Sequence, residues 1–224
     1  LEAANREANL YLDILTHDIR NVDNVANIYA DLLMDMLAGE ERDYLQKLQG
    51  SIKKSIEITA NVGTIRKIRE SRTELLPVDL EGVIRAEIAH YPDARINYDG
   101  QGVTVFADDL LPEVFTNLIG NAAKHGGPEV AIDITIEDAE EEGMVQVSVA
   151  DTGPGIPDDA KEVIFSRFEQ GKARGGTGQG LGLSICRMLV ARYGGRIRVE
   201  DRTPGRPEEG AAFVLTLRKA PQNS

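Results

Sequence analysis

Not one proline occurs before Pro77 in this chain of 224 residues, and the three glycines of that stretch, Gly39, Gly50 and Gly63, stand far apart. A stretch without breakers can run as helix over most of its length. Apolar or near-apolar residues recur through it at helical steps: Ala8, Tyr11 and Leu15, then Val22, Val25, Tyr29, Leu32 and Met36, with Asp18 interrupting the row. A parallel row runs Leu12, Ile19, Ala26, Leu33. Two adjacent rows make the wide apolar face that a bundle helix needs. A turn is expected near Ala38-Gly39-Glu40, and a second helix then carries Leu45, Leu48, Ile52, Thr59 and Val62, with Ile58 and Ile65 beside them. Each buried Leu or Ile stabilises by about 1.5–3 kcal/mol, and a lone hairpin leaves most of that unrealised. Two hairpins packed together close the face, so the pattern predicts a homodimeric four-helix bundle through residues 1–72. Packing of the helices on the rest of the chain is the alternative.

Residues 73–77, at the end of Ser71-Arg72-Thr73-Glu74-Leu75-Leu76-Pro77, read as a linker and hinge, and residues 78–224 as a second domain. Helical periodicity appears there over Leu80–His90, Leu110–Ala123 and Leu181–Arg192. Strand-like runs appear at Ile96–Tyr98, Val103–Phe106, Val130–Ile136, Met144–Ala150, Ile197–Val199 and Ala211–Leu217. The strands do not alternate regularly with helices. That predicts an α+β domain, helices on one face of a mixed sheet, rather than a doubly wound parallel fold. Asp151 to Gly180 holds nine glycines or prolines and is expected to be a mobile loop.

The net charge of −12, with no Lys/Arg run longer than two, argues against a general nucleic-acid binder. No apolar run approaches the roughly 20 residues of a membrane span, and no leader peptide is visible. The chain starts at Leu1 in what reads as mid-helix, so it is taken as a piece of a longer protein. The acidic balance fits a cytoplasmic location. The single cysteine, Cys186, excludes an internal disulfide and reads as core filler in an apolar helix.

Three segments carry chemistry. Asp151-Thr152-Gly153-Pro154-Gly155-Ile156-Pro157 follows a strand, and Gly175-Gly176-Thr177-Gly178-Gln179-Gly180-Leu181-Gly182-Leu183 runs into a helix. Glycines permit close backbone approach and helix N-termini favour anions, so a phosphate cradle is a natural reading. Neither the GxxxxGK[ST] pattern nor a GxGxxG in a βαβ unit is present. In Asn117-Leu118-Ile119-Gly120-Asn121-Ala122-Ala123-Lys124-His125-Gly126, Asn117 and Asn121 share a helix face, with Glu113 one turn earlier. An amide oxygen is a good Mg²⁺ ligand, and Lys124 can meet a phosphate as a point charge. Taken alone, two solvated asparagines explain the segment as well. In Thr16-His17-Asp18-Ile19-Arg20-Asn21, a carboxylate beside His17 can orient the ring and raise its nucleophilicity. Asn21, one turn on, can position a water over the same spot. A solvated polar patch on a bundle helix is the other reading.

The order of these segments is distinctive. An HD-x-x-N on a dimerising hairpin precedes N-x-x-x-N-A-x-K-H, then D-x-G-x-G-I-P, then Phe165 and Phe168 as F-x-x-F, then G-x-G-x-G-L-G-L. Over residues 10–218 this closely resembles the H, N, G1, F and G2 boxes of sensor histidine kinases of two-component systems. The resemblance implies a dimerisation and phosphotransfer hairpin followed by a Bergerat-type α/β sandwich that binds ATP with Mg²⁺. It implies autophosphorylation on His17, with Asp18 as base and orienting partner, and transfer to an aspartate of a response-regulator receiver domain. Asn21 resembles the residue that orients water for the reverse phosphatase reaction. Asp151 looks like the acceptor of the adenine amino group, Asn121 like the Mg²⁺ ligand with Asn117 supporting it, and Lys124 like a phosphate contact. His125 takes a place near the nucleotide. Gly153, Gly155 and Ile156 resemble the base-side turn. Thr177, Gly178, Gly180, Leu181 and Gly182 resemble the phosphate-side loop and helix start, and Phe165 and Phe168 look like anchors for a lid. The parent is expected to be a cytoplasmic or membrane-anchored sensor, with any membrane contact made through a region upstream of this chain.

Two departures from the family pattern stand out. The proline that often follows the H box is absent, with Val22 and Asp23 in that stretch, and Glu169-Gln170 follow the F box where an arginine is common, leaving Lys172 and Arg174 to supply that charge. Two other functions compete on the same residues. One is a Bergerat-fold ATPase that drives a conformational change; the other is a dimer module that mainly dephosphorylates its partner.

Overall fold

The computed structural model describes residues 2–70, 74–127, 129–165 and 181–221, with side chains from residue 15 onward. Two compact units are present, divided near residues 71 and 72.

The first unit is a hairpin of two long helices, α1 (Glu2–Met34) and α2 (Glu40–Glu70). The turn passes through Gly39, and the Arg42 guanidinium closes it by donating to the Met34 carbonyl. Three carboxylates in the first turn of α2 (Glu40, Glu41, Asp43) and Lys67 and Arg69 in its last turn complement the helix dipole at both ends. Between the helices, Gln49 donates to Asp31, which also accepts from Asn27 one turn back. Ala30 and Leu45 are buried, whereas Leu15, Val22, Val25, Tyr29, Leu32 and Met36 are 52–78% exposed. From Leu15 onward the row of apolar residues read from the sequence is therefore left uncovered in a single chain.

The second unit holds a five-stranded sheet in the order β2-β4-β5-β7-β6. Its strands are β2 (Arg95–Asp99), β4 (Ala131–Asp138), β5 (Met144–Asp151), β6 (Ile197–Thr203) and β7 (Arg206–Arg218). Only the β2/β4 pair is parallel. A separate pair joins β1 (Leu76–Asp79) to β3 (Thr104–Ala107). The helices α4 (Leu111–His125) and α6 (Leu181–Arg192) pack on the sheet, and α3 (Leu80–Ile88) packs on α4. Alternation explains the layering: Ile132, Ile134 and Ile136 of β4 are buried while Asp133, Thr135 and Glu137, each following one of them, are not. Phe115, Leu118 and Ile119 of α4 and Ile185 and Leu189 of α6 meet that face with no residual exposure. This is the α+β layer expected from the sequence.

A buried carboxylate fixes the two helices that frame the site. Asp108 accepts from the Leu110 N–H just before α4, from Arg192 Nε at the end of α6 (both 3.1 Å), and from the Tyr193 hydroxyl. It therefore ties the start of α4 to the end of α6. Burial, and after it the hydrogen bond to Asp108, push the Tyr193 phenol well above its ordinary pKa.

Two local expectations change. Leu76 and Pro77, assigned to the linker, are strand residues paired with Ala107 and Phe106. Part of the expected loop is helical: α5 (Asp158–Lys161) and a 3-10 turn (Val163–Phe165) lie within 151–180. There Lys161 bridges Asp158 and Asp201, which anchors the segment to β6. The remainder of that loop, 166–180, lies outside the described residues.

Candidate functional site

The pocket forms where β5 ends. Asp151, the last residue of that strand, is only 8% exposed, and the chain after it is held on both sides. The Thr152 N–H donates to the Ala131 carbonyl (3.0 Å), and the Thr152 hydroxyl accepts from the Ala131 N–H (2.9 Å). The Gly153 N–H donates to Asp151 Oδ1 at 2.8 Å, and the Ala211 N–H of β7 also donates to this carboxylate. Two backbone donors thus fix the carboxylate and leave it further acceptor capacity. Burial holds its pKa above the usual carboxylate value, while the Gly153 and Ala211 hydrogen bonds and the charges of Arg202 and His125 pull the other way.

Gly155 shapes the wall. It lies at φ +69°, and a Cβ there would collide with the Pro207 carbonyl oxygen, so only glycine fits without moving the backbone. The cavity is about 280 Å³, of a size for one flat heterocycle. Asp151 stands among Ala122, Ile156, Ile164, Leu183, Ala211 and Phe213, and Asn121 and His125 of α4 complete the lining. The Phe165 ring meets Phe213 edge-on, centroids 6.2 Å apart at 84°, which braces the Phe213 side of the cavity. An apolar slot with one anchored carboxylate can take a heterocycle and pair with its amino group. Such a contact discriminates, because a base with the wrong edge leaves buried polar groups unpaired.

The pocket brings together Asn121, His125, Asp151, Gly155 and Ile156 among the residues singled out from the sequence. Gly153 adjoins it through Asp151. Asn117 lies one turn before Asn121 and donates to the Glu113 carbonyl at 2.7 Å. Its Oδ1 lies against Gly182, so close that a Cβ at that glycine would overlap it. Leu181 opens α6, and its carbonyl accepts from the Ser184 hydroxyl. Lys124 is an exposed residue in the last turn of α4 and does not line the cavity. Phe168, Thr177, Gly178 and Gly180 lie outside the described residues. Ala122, Pro154 and Leu183 lie within the segments read as carrying chemistry but were given no role of their own, and Ile164, Ala211 and Phe213 were not anticipated from the sequence. Ala211 and Phe213 had a signal in the continuous apolar run of the last strand, but nothing local ties that strand to Asp151.

The chemistry of the donors suits Mg²⁺ as a partner of a bound nucleotide. Among the described residues no group of three or more His, Cys, Asp or Glu could hold an ion by itself. The Asn121 amide, placed at the cavity, offers the single hard oxygen that Mg²⁺ accepts when phosphates and water fill its other positions.

On the hairpin, His17 lies on the exposed face of α1, its side chain 74% accessible. Asp18 Oδ1 is 3.2 Å and Asn21 Nδ2 is 3.3 Å from the same ring atom, Nδ1. The other ring nitrogen, Nε2, has no protein hydrogen-bond partner among these contacts.

A mixed sheet covered on one face by helices, with a heterocycle slot ending in a fixed carboxylate, defines an ATP-binding domain of the α/β sandwich class. Residues 107–221 match the family described as histidine kinase-, DNA gyrase B-, and HSP90-like ATPase, and the chain belongs to that family. The sensor histidine kinase AruS of Pseudomonas aeruginosa is 32% identical over 98% of this chain and 23% of its own length. Full-length ShkA, solved in complex with AMPPNP, superposes with a TM-score of 0.66 at 30% identity, over 96% of this chain and 46% of that one. Histidine kinase ThkA in complex with response regulator protein TrrA gives a TM-score of 0.59 at 26% identity, over 100% of this chain and 66% of that one. These matches run through the hairpin as well as the ATP-binding domain. The chain spans less than half the length of the curated relatives it matches. No helix among the described residues is long and apolar enough to cross a membrane.

Proposed function

We propose that this chain is an ATP-dependent protein-histidine kinase core that phosphorylates its own His17 and passes the phosphoryl group to an aspartate of a response-regulator receiver domain. The observation that carries the reading is the state of the His17 ring. It is exposed, one nitrogen faces a carboxylate, and the other is open to a reacting group.

Asp18 accepts a hydrogen bond from Nδ1–H and so keeps the lone pair on Nε2. That lone pair attacks the γ-phosphorus of ATP, the bond from γ-phosphorus to the bridging oxygen breaks, and ADP leaves. Asp18 receives the Nδ1 proton as the ring becomes positive. Asp151 would hold the adenine amino group, and the apolar slot would hold the ring. Asn121, supported by Asn117, would hold Mg²⁺, which when bound offsets the charge of the phosphates. Lys124 would meet a phosphate oxygen, and His125 would lie beside the nucleotide. Little covalent chemistry is asked of the protein; positioning and charge carry the step. In the reverse direction Asn21 would orient a water for dephosphorylation of the partner. The hairpin, residues 1–72, would form the homodimer, and the few residues between it and β1 would let the ATP-binding domain, which β1 opens, reach His17. The exposed apolar row on α1 supports the dimer, and the likeness to ThkA, solved with a response regulator, supports the choice of partner.

The test is labelling with γ-labelled ATP and Mg²⁺. The expected label is lost in acid, stable in alkali, and absent from His17→Gln while ATP affinity is unchanged. Label that persists in His17→Gln would exclude this histidine.

A further inference from the structure

The two side chains beside His17 make incompatible demands on one atom. Asp18 Oδ1 lies 3.2 Å and Asn21 Nδ2 lies 3.3 Å from the same nitrogen, Nδ1. An ionised carboxylate only accepts a hydrogen bond, and an amide nitrogen only donates one. In a neutral imidazole one nitrogen carries the proton and the other a lone pair, so Nδ1 satisfies either partner but never both at once. When Asp18 is satisfied, Nδ1 bears the proton and Nε2 presents its lone pair. When Asn21 is satisfied, Nδ1 bears the lone pair and Nε2 bears the proton, which leaves nothing at Nε2 to attack with. The distances differ by only 0.1 Å, and the ring is exposed, so packing does not settle the choice.

We infer that Asn21 is a positioning residue that selects the unreactive tautomer of His17, in competition with Asp18, and so sets the fraction of rings ready to accept a phosphoryl group. This deepens the kinase reading and rests on it. The same amide has a second use after transfer. Once Nε2 has formed its bond to phosphorus, ADP has left with the bridging oxygen and the Nδ1 proton has gone to Asp18. Nδ1 then carries a lone pair that the Asn21 amide can donate to. Asn21 thus opposes the reaction at the free ring and matches its product.

The tautomer is read directly by long-range proton–nitrogen correlation spectra of the full chain labelled with ¹⁵N-histidine. The spectra are recorded without nucleotide, at a pH where the ring is neutral. Signals of His17 are those missing from His17→Gln, and His90 and His125 serve as internal references. Loss of one of two competing, exposed hydrogen bonds corresponds to a shift of about threefold or more. Asn21→Ala is expected to move the population toward Nδ1–H by that factor, and Asn21→Asp in the same direction, since it replaces the donor with an acceptor. Asp18→Ala is expected to move it the other way. The initial rate of labelling by ATP in Asn21→Ala should rise by the same factor as the Nδ1–H fraction. An unchanged ratio in Asn21→Ala, or a shift toward Nε2–H, overturns the inference. Because the ratio is read without ATP, failure of the kinase reading shows separately, as label that does not depend on His17.

Discussion

Burial decides what Asp151 can do. Its carboxylate sits among apolar side chains with two backbone N–H donors and a pKa held above its ordinary value. Between the unfolded pKa and this raised folded value, the native state binds more protons than the unfolded chain. Stability from this group is therefore present below that window and declines as pH rises through it. Asp151→Asn removes the charge and keeps the shape, so it should leave the protein folded, with a melting temperature above the window equal to or higher than that of the parent. Its ATP affinity should nevertheless collapse, because an amide cannot reproduce the fixed carboxylate acceptor; loss of about 100-fold or more is expected in a nucleotide titration. Unchanged affinity would remove Asp151 from the base site. For the parent protein, affinity should also weaken as pH falls into the raised carboxylate range. Asp151 and the residues around His17 were legible because short motifs place their partners within a few positions. Ala211 was not: it lies 60 residues from Asp151, and only the Ala150↔Ala212 register of β5 and β7 brings it there.

At the scale of elements, the long helices and the helix opening at Leu181 were readable, since period and breakers act locally. β1 was not, because Leu-Pro-Val-Asp is four residues long and becomes a strand only through β3, some 25 residues later. The turns at 158–165 were hidden in a Gly/Pro-rich stretch; Lys161 fixes them through Asp201, forty residues away. The approach of α6 to α4 is likewise tertiary, and it makes a sharp demand at Gly182, where a side chain would displace Asn117 Oδ1. Gly182→Ala is expected to cost about 1–3 kcal/mol in urea denaturation through local overpacking, and to weaken nucleotide binding because Asn117 loses its place. Alanine is otherwise the better helix former, so a gain in stability would show that this contact is slack.

Over the whole molecule, the hairpin exposes more apolar side chain than a lone helix pair keeps in water. Leu32 and Tyr29, 58% and 63% exposed, lie on adjacent turns of α1 with Val25 and Met36. A partner hairpin covering this row would recover about 1.5–3 kcal/mol for each large side chain buried. The double variant Tyr29→Glu, Leu32→Glu should therefore shift the chain from dimer to monomer in light scattering while helical circular dichroism persists. A parent that is already monomeric at micromolar concentration would contradict the dimer. Most directly, the account stands on where the phosphoryl group arrives. After incubation with ATP and Mg²⁺, and digestion kept at alkaline pH, tandem mass spectrometry should place it on His17 and on neither His90 nor His125. A phosphoryl group found on another residue, or none on an ATP-bound chain, would contradict it.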